Sequence, residues 1–303
     1  MATKKLLSKF VATLLVLSMA LAIAMPILAA EDDDDWDLGE PELTYEQIEI
    51  LIPVWIPVTA EEQKQAILDD PYLTDEEKQF HINRFALFEF DGDLSDIANL
   101  PHEIQALLAD AERISGRSFD FGNIFLPVRH FPQLRNNWCG PATVQQTVRY
   151  WIPQNTQTQE QFWAGFHHSA PDLPMMRNAV NNQMTAFDIP RRYASARITN
   201  RNILHNTISM AMQFGIPPMI RIEPLNTMHW PYSLNFGHFL NVSGILICAI
   251  DGVSISNVQF TDPWMGSSFF NPGSNGTFWR NLDDLLVVMI SSRDAAERDN
   301  FAW

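Results

Sequence analysis

The chain has 303 residues, 46% of them hydrophobic and nine of them tryptophan, with a formal net charge of −16. That much apolar surface suffices for a core of one or two domains and excludes collagen-like, coiled-coil and wholly disordered architectures. The charge is lopsided: residues 31–130 carry 25 Asp and Glu against six Lys and Arg, while residues 131–303 carry eleven of each and every base is an arginine. A nucleic-acid partner is not expected, because neutralising phosphates needs a basic face.

Residues 1–30 read as a secretory signal. Lys4, Lys5 and Lys9 give a basic start, residues 10–24 are apolar, Pro26 breaks the run, and Leu28 and Ala30 fit the cleavage rule ahead of Glu31. The expected location is secreted or cell-surface. With residues 25–30 included the apolar stretch nearly reaches spanning length, so an uncleaved anchor is the alternative. No other segment is long and apolar enough, so no stable membrane span is expected after signal cleavage. Residues 31–58 open on an acidic run from Glu31 to Asp35 and pass Pro41, Pro53 and Pro57. They read as a flexible acidic linker with one short helix near residues 45–51.

Residues 59–120 read as a small acidic helical region. Thr59 with Glu62 and Thr74 with Glu77 make capping boxes for helices running to about Leu68 and Phe88. A third helix opens at Pro101, gathers Ile104, Leu107, Leu108 and Ala111 on one face, and stops at Gly116. Residues 121–303 form the second domain. Its expected helices cover residues 141–151, a stretch from the Thr158–Gln161 cap to about His167, residues 174–184, and a stretch from Thr199 or Asn200 to Phe214, with Gly215 as the stop. Strands follow at 219–223, 238–250 and 254–261, the last two joined by the hairpin turn signal Asp251-Gly252. A strand at 277–280 and a helix at 282–291 complete the pattern. Helices first and an antiparallel sheet later define an α+β class.

The chemistry concentrates on four residues. Cys139 follows Trp138 and precedes Gly140 and Pro141, a residue suited to the first turn of a helix. The thiol therefore sits at the positive helix end, where backbone amides favour a thiolate, the nucleophilic form. Gln133, six positions earlier, is the candidate side-chain donor to an oxyanion. Of eight histidines, His238 is the candidate base, because it opens a strand whose remainder is apolar. His167 and His168 read as surface residues at a helix end, His205 as a helix-face residue, and His229 as part of a loop flanking the cleft. Asp262 ends the strand that returns from the hairpin. His238 lies 13 residues before Asp251 and Asp262 lies 10 beyond Gly252, which is near register if one bulge intervenes. A carboxylate there would accept the ring's Nδ1–H, fix the tautomer and stabilise the imidazolium. The second cysteine, Cys248, falls in an apolar strand and reads as an inert buried thiol, so no disulfide is expected. Trp163, Trp230 and Trp264 are candidates either for the cleft or for the core.

Gln133 with Cys139-Gly140-Pro141, then Gly237-His238 opening an apolar strand, then Asp262-Pro263-Trp264, resembles the C39-like peptidase family of the papain-like fold. The resemblance spans about residues 127–290 and leaves the acidic helical region outside. It implies a papain-like cysteine peptidase domain with Cys139 as nucleophile, His238 as general base and acid, Asp262 as orienting residue and Gln133 as oxyanion donor. It implies a peptide or protein substrate and no cofactor or metal. An amide acyl transferase of the transglutaminase type would use the same triad, and a catalytically inactive secreted binding module would keep the same fold. Oligomeric state is not legible in any of these features.

Overall fold

The computed structural model describes residues 59–90, 92, 94, 99–115, 123–225, 229–250, 253–291 and 298–303. The signal segment, the acidic linker with its short helix, and the Asp251-Gly252 turn lie outside the described residues.

The first two helices start where the threonine signals put them. In α1 (Ala60–Asp69) and α2 (Asp75–Glu89), Thr59 and Thr74 accept from the backbone N–H of Glu62 and Glu77. Those glutamates accept in return from the threonine N–H groups at 2.6 and 2.9 Å. Each box satisfies two amides that a helix start leaves unpaired. The third helix, α3 (His102–Ser115), packs along α2.

These helices are bound to the rest of the molecule by apolar and polar contacts together. The ring of Phe80 meets Phe214 edge to face at 5.0 Å, and Phe85 meets Trp303 at 6.1 Å. The Gln63 amide bonds the backbone of Ser195 in both directions, donating to its carbonyl at 3.0 Å and accepting from its N–H at 2.9 Å. Arg192, only 5% exposed, donates to Asp70 at 2.8 Å. The described residues all belong to one compact unit.

The remaining helices are α4 (Cys139–Trp151), α5 (Gln159–Gly165), α6 (Leu173–Ala186), α7 (Arg201–Gln213) and α8 (Leu282–Ile290). The strands are β1 (Ile124–Phe125), β2 (Ser195–Ala196), β3 (Met219–Ile222), β4 (His238–Ile250), β5 (Val253–Thr261), β6 (Thr277–Asn281) and β7 (Phe301–Ala302). All pair antiparallel in the order β2-β7-β3-β4-β5-β6, with β1 added to β4. The class is α+β. The three two-residue strands were not expected from the sequence, because two residues carry no period to read. The α5 helix ends at Gly165, and His167 and His168 lie beyond it with φ of 53° and 54°, exposed as expected but in a left-handed turn rather than on the helix. No helix among the described residues is long and apolar enough to cross a membrane.

The core lies between the sheet and its helices, with α4 and α7 both against β4. Residues 139–148 of α4 are buried throughout, so apolar contact alone would let the helix slide. A polar lock prevents this. Asn241 of β4 donates to the Thr143 carbonyl at 3.1 Å and to Gln146 Oε1 at 2.8 Å, and accepts from Thr147 Oγ1 at 2.8 Å. All four side chains are buried, and leaving any of these groups unpaired would cost about 1–3 kcal/mol. The lock therefore fixes the start of α4 against the start of β4.

The β4–β5 ladder contains a one-residue bulge between Val242 and Gly244. Asn241 pairs with Thr261, so Leu240 and Asp262 fall opposite each other and His238 projects from the same face one step along. Without the extra residue the alternation of side chains would turn His238 and Asp262 to opposite faces.

Candidate active site

Three of the four candidate residues come together. Cys139 is the first residue of α4, His238 the first of β4, and Asp262 follows the last residue of β5. His238 Nε2 lies 2.8 Å from Asp262 Oδ1, and both side chains have no solvent exposure. Burial opposes charge on the ring, but the charge and hydrogen bond of Asp262, with a smaller contribution from Cys139, raise its pKa from 6.5 to about 10. His238 is therefore held as an imidazolium at neutral pH.

The sequence reading assigned the Asp262 bond to Nδ1, and the structure corrects this: Asp262 takes Nε2. Nδ1 is buried and has no hydrogen bond of regular geometry, and the neighbouring Cys139 contributes to raising the ring's pKa. The thiol therefore lies close enough to influence the ring without a regular hydrogen bond to it.

Gln133 is buried, but its amide turns to its own loop. Both Nε2 hydrogens go to backbone carbonyls, those of Arg135 and Asn136, at 2.9 Å each. The Gln133 backbone N–H donates to the Pro263 carbonyl at 2.8 Å. Gln133 therefore shapes the turn ahead of Cys139 and ties it to the turn after Asp262, and neither side-chain hydrogen is left to meet an oxyanion. Sequence spacing brought the residue to the site but could not say what its amide would find there. The N-cap residue Trp138 makes no side-chain hydrogen bond to the first amides of α4.

Three supporting contacts were not expected. The phenol of Tyr232 donates to Asp262 Oδ2. Burial, then the neighbouring Asp262 charge, hold the Tyr232 pKa far above its ordinary value, so it remains a neutral donor. The Trp264 N–H donates to Asp262 Oδ1 at 2.8 Å. His130 Nε2 meets the Asp262 carbonyl at 3.1 Å and packs on Gly276, where a Cβ would stand 2.0 Å from the ring. Gly276 has φ of 70° as well, so both space and backbone conformation call for glycine there. Tyr232 and His130 lie in loops with no period or motif to mark them, although the Trp-Pro-Tyr run just before His238 was an available hint.

The other candidates fall elsewhere. His229 pairs with Asp284 of α8 at 2.6 Å, and His205 is buried in α7. Trp230 is core, packed on Phe260 and Phe278, while Trp264 stands half-buried with its ring 6.4 Å from that of His238. Cys139 carries a free thiol, and the Cys248 side chain lies outside the described residues. Among the described residues no group of three or more His, Cys, Asp or Glu is arranged to hold a metal ion.

Cys139 opens onto a cavity of about 390 Å³ whose walls include Asn137, Pro171, Phe236 and Phe239. Its size suits one or two residues of an extended chain. No protein-family model matches this chain, and no curated protein sequence matches it.

Proposed function

We propose that this chain is an exported cysteine peptidase of the C39-like, papain-like type, hydrolysing peptide bonds through an acyl-enzyme. The observation that carries the reading is the buried His238–Asp262 pair beside Cys139, which heads α4 and lines a cavity of about 390 Å³. A nucleophile heading a central helix, packed on an antiparallel sheet that supplies base and carboxylate, supports the papain-like assignment. Export rests on the basic start and apolar run of residues 1–30.

In this mechanism Cys139 reacts through its thiolate form beside the His238 imidazolium, with Asp262 balancing the ring's charge. Sγ attacks the substrate carbonyl carbon, and the carbonyl π electrons move onto its oxygen. The Cys139 backbone N–H, at the helix start, receives that oxyanion. When the tetrahedral intermediate collapses, the C–N bond breaks and His238 Nδ1 gives its proton to the departing amine. Water then enters, His238 takes one of its protons, and the hydroxide oxygen displaces Sγ from the acyl carbon. Gln133 acts at one remove, by fixing the turn that leads into Cys139.

The test is labelling of the mature protein with a thiol-reactive peptide probe, followed by mapping of the modified residue. Modification at Cys139, lost in Cys139→Ala and suppressed in His238→Ala, is the expected result. A probe that ignores Cys139, in a protein that hydrolyses no peptide library, overturns the reading.

A further inference from the structure

The head of α4 offers few backbone donors to an oxyanion. The Trp138 N–H is spent on the Arg135 carbonyl at 3.0 Å, and the Ala142 N–H on the Trp138 carbonyl at 3.0 Å. Pro141 has no N–H. That leaves the N–H groups of Cys139 and Gly140 at this end of the helix. Gln133 adds nothing, because the two carbonyls beside its amide fix which end is the donor: Oε1 in the same place would meet two acceptors.

What Gln133 holds is a turn. Its two carbonyl partners are those of Arg135 and Asn136, and the Trp138–Arg135 bond closes a four-residue turn with Asn136 and Asn137 at its centre. Both asparagines are exposed, and both line the cavity with Cys139. Asn137 is the better placed. It stands two residues before the nucleophile, between two fixed points. On its amino side Gln133 anchors the Asn136 carbonyl. On its carboxyl side Trp138 is buried against Trp163, with ring centroids 5.8 Å apart. Only two side-chain torsions remain to aim the Asn137 amide, which makes no hydrogen bond to another described residue.

We propose that the side-chain amide of Asn137 is the second donor to the oxyanion, alongside the Cys139 N–H. The proposal rests on the peptidase reading of Cys139. As Sγ bonds the carbonyl carbon and the π electrons move onto oxygen, the Asn137 Nδ2–H donates to that oxygen. No proton changes hands. The hydrogen bond weakens again when the oxygen's electron pair restores the carbonyl and the amine departs. Because the bond is strongest while the oxygen is charged, it lowers the barrier more than it tightens substrate binding. An uncharged donor also leaves the charges of Cys139 and His238 as they are. Gln133 then serves as a positioning residue, holding the turn that presents Asn137.

The experiment separates oxyanion stabilisation from thiol reactivity. It uses the full mature chain, a fluorogenic peptide amide that the wild type hydrolyses, and iodoacetamide. Iodoacetamide loses iodide from a saturated carbon and develops no oxyanion, so its rate reads the thiol alone. Asn137→Ala should lower kcat by about a hundredfold or more, with KM little changed. Asn137→Leu, which keeps the shape of the side chain without its donor, should lose as much. Cys139 in both variants should be alkylated at the wild-type rate. A peptide aldehyde, whose tetrahedral adduct with Cys139 puts an oxygen in the same place, should bind both variants more weakly by a similar factor. Wild-type kcat in Asn137→Ala overturns the proposal, as does a loss that appears in Asn136→Ala instead. A fall in kcat matched by an equal fall in alkylation rate also overturns it, by placing the defect in the thiol. Each of these outcomes leaves Cys139 as the nucleophile. A wild type that hydrolyses no peptide brings down the peptidase reading, and the proposal with it.

Discussion

The phenol of Tyr232 donates a hydrogen bond to Asp262, and both side chains are buried. Asp262 is thereby held from two sides, by Tyr232 on Oδ2 and by His238 and the Trp264 N–H on Oδ1. Tyr232→Phe keeps the ring and deletes only the donor. It should lower stability by about 1–3 kcal/mol, the cost of an unpaired buried acceptor. Turnover should fall too, because Asp262 loses a restraint on its orientation. Thermal denaturation and kcat measured together check this; an unchanged melting temperature would mean that another donor replaces the phenol.

The His238 pKa gives stability a pH dependence of definite sign. The folded value of about 10 lies above the ordinary 6.5, so the folded state binds the proton more tightly than the unfolded state. The stabilisation is complete below about pH 6.5 and is lost as pH rises through 10. Denaturant unfolding at pH 6, 8 and 10 should show the wild type losing stability faster across that window than His238→Gln. An equal slope in the two proteins would remove the buried ion pair from the account.

Residues that act as one unit fail together. Cys139→Ala and His238→Ala should each reduce hydrolysis on the order of a thousandfold or more, and the double variant should cost little beyond either. Asp262→Asn should be milder, since the ring stays near the thiol but loses its charge partner. Steady-state kinetics on one peptide substrate checks all four, and wild-type turnover in Cys139→Ala would end the nucleophile assignment.

The acidic helices are expected to serve as a permanent support. Phe80 is 1% exposed and meets Phe214, so Phe80→Ala should cost about 3–5 kcal/mol and lower the single melting transition of the whole unit. Residues 120–303 expressed alone should aggregate or melt far below the longer form. A soluble fragment with raised activity would instead mark the helices as a removable cover.

Much of the fold can be read from local signals. The capping threonines at 59, 74 and 158 each open a helix, Asn200 caps α7, and Ile250 pairs with Val253 on either side of the expected two-residue turn. The site was half legible. Cys139, His238 and Asp262 carry their chemistry in type and position, and even the bulge between the last two follows from counting residues. Tyr232 and His130 were hidden because they reach Asp262 across 30 and 132 residues of chain from irregular loops. The Gln133 amide and the choice of ring nitrogen depend on side-chain rotation, which no spacing encodes.

The β4 bulge makes His238 and Asp262 partners by parity, and parity constrains how this hairpin can change length in evolution. Between the pair and the bulge, Asn241 and Val242 pair with Thr261 and Phe260 and leave no slack. Losing or gaining one residue there would expel one partner from the shared face while every hydrogen bond further along could still form. Beyond Gly244 the same change can be absorbed at the turn, where nothing functional is in register. Relatives of this chain should therefore vary freely in the outer arm of the hairpin, and insertions within the inner arm should be found only in chains that have also lost the cysteine.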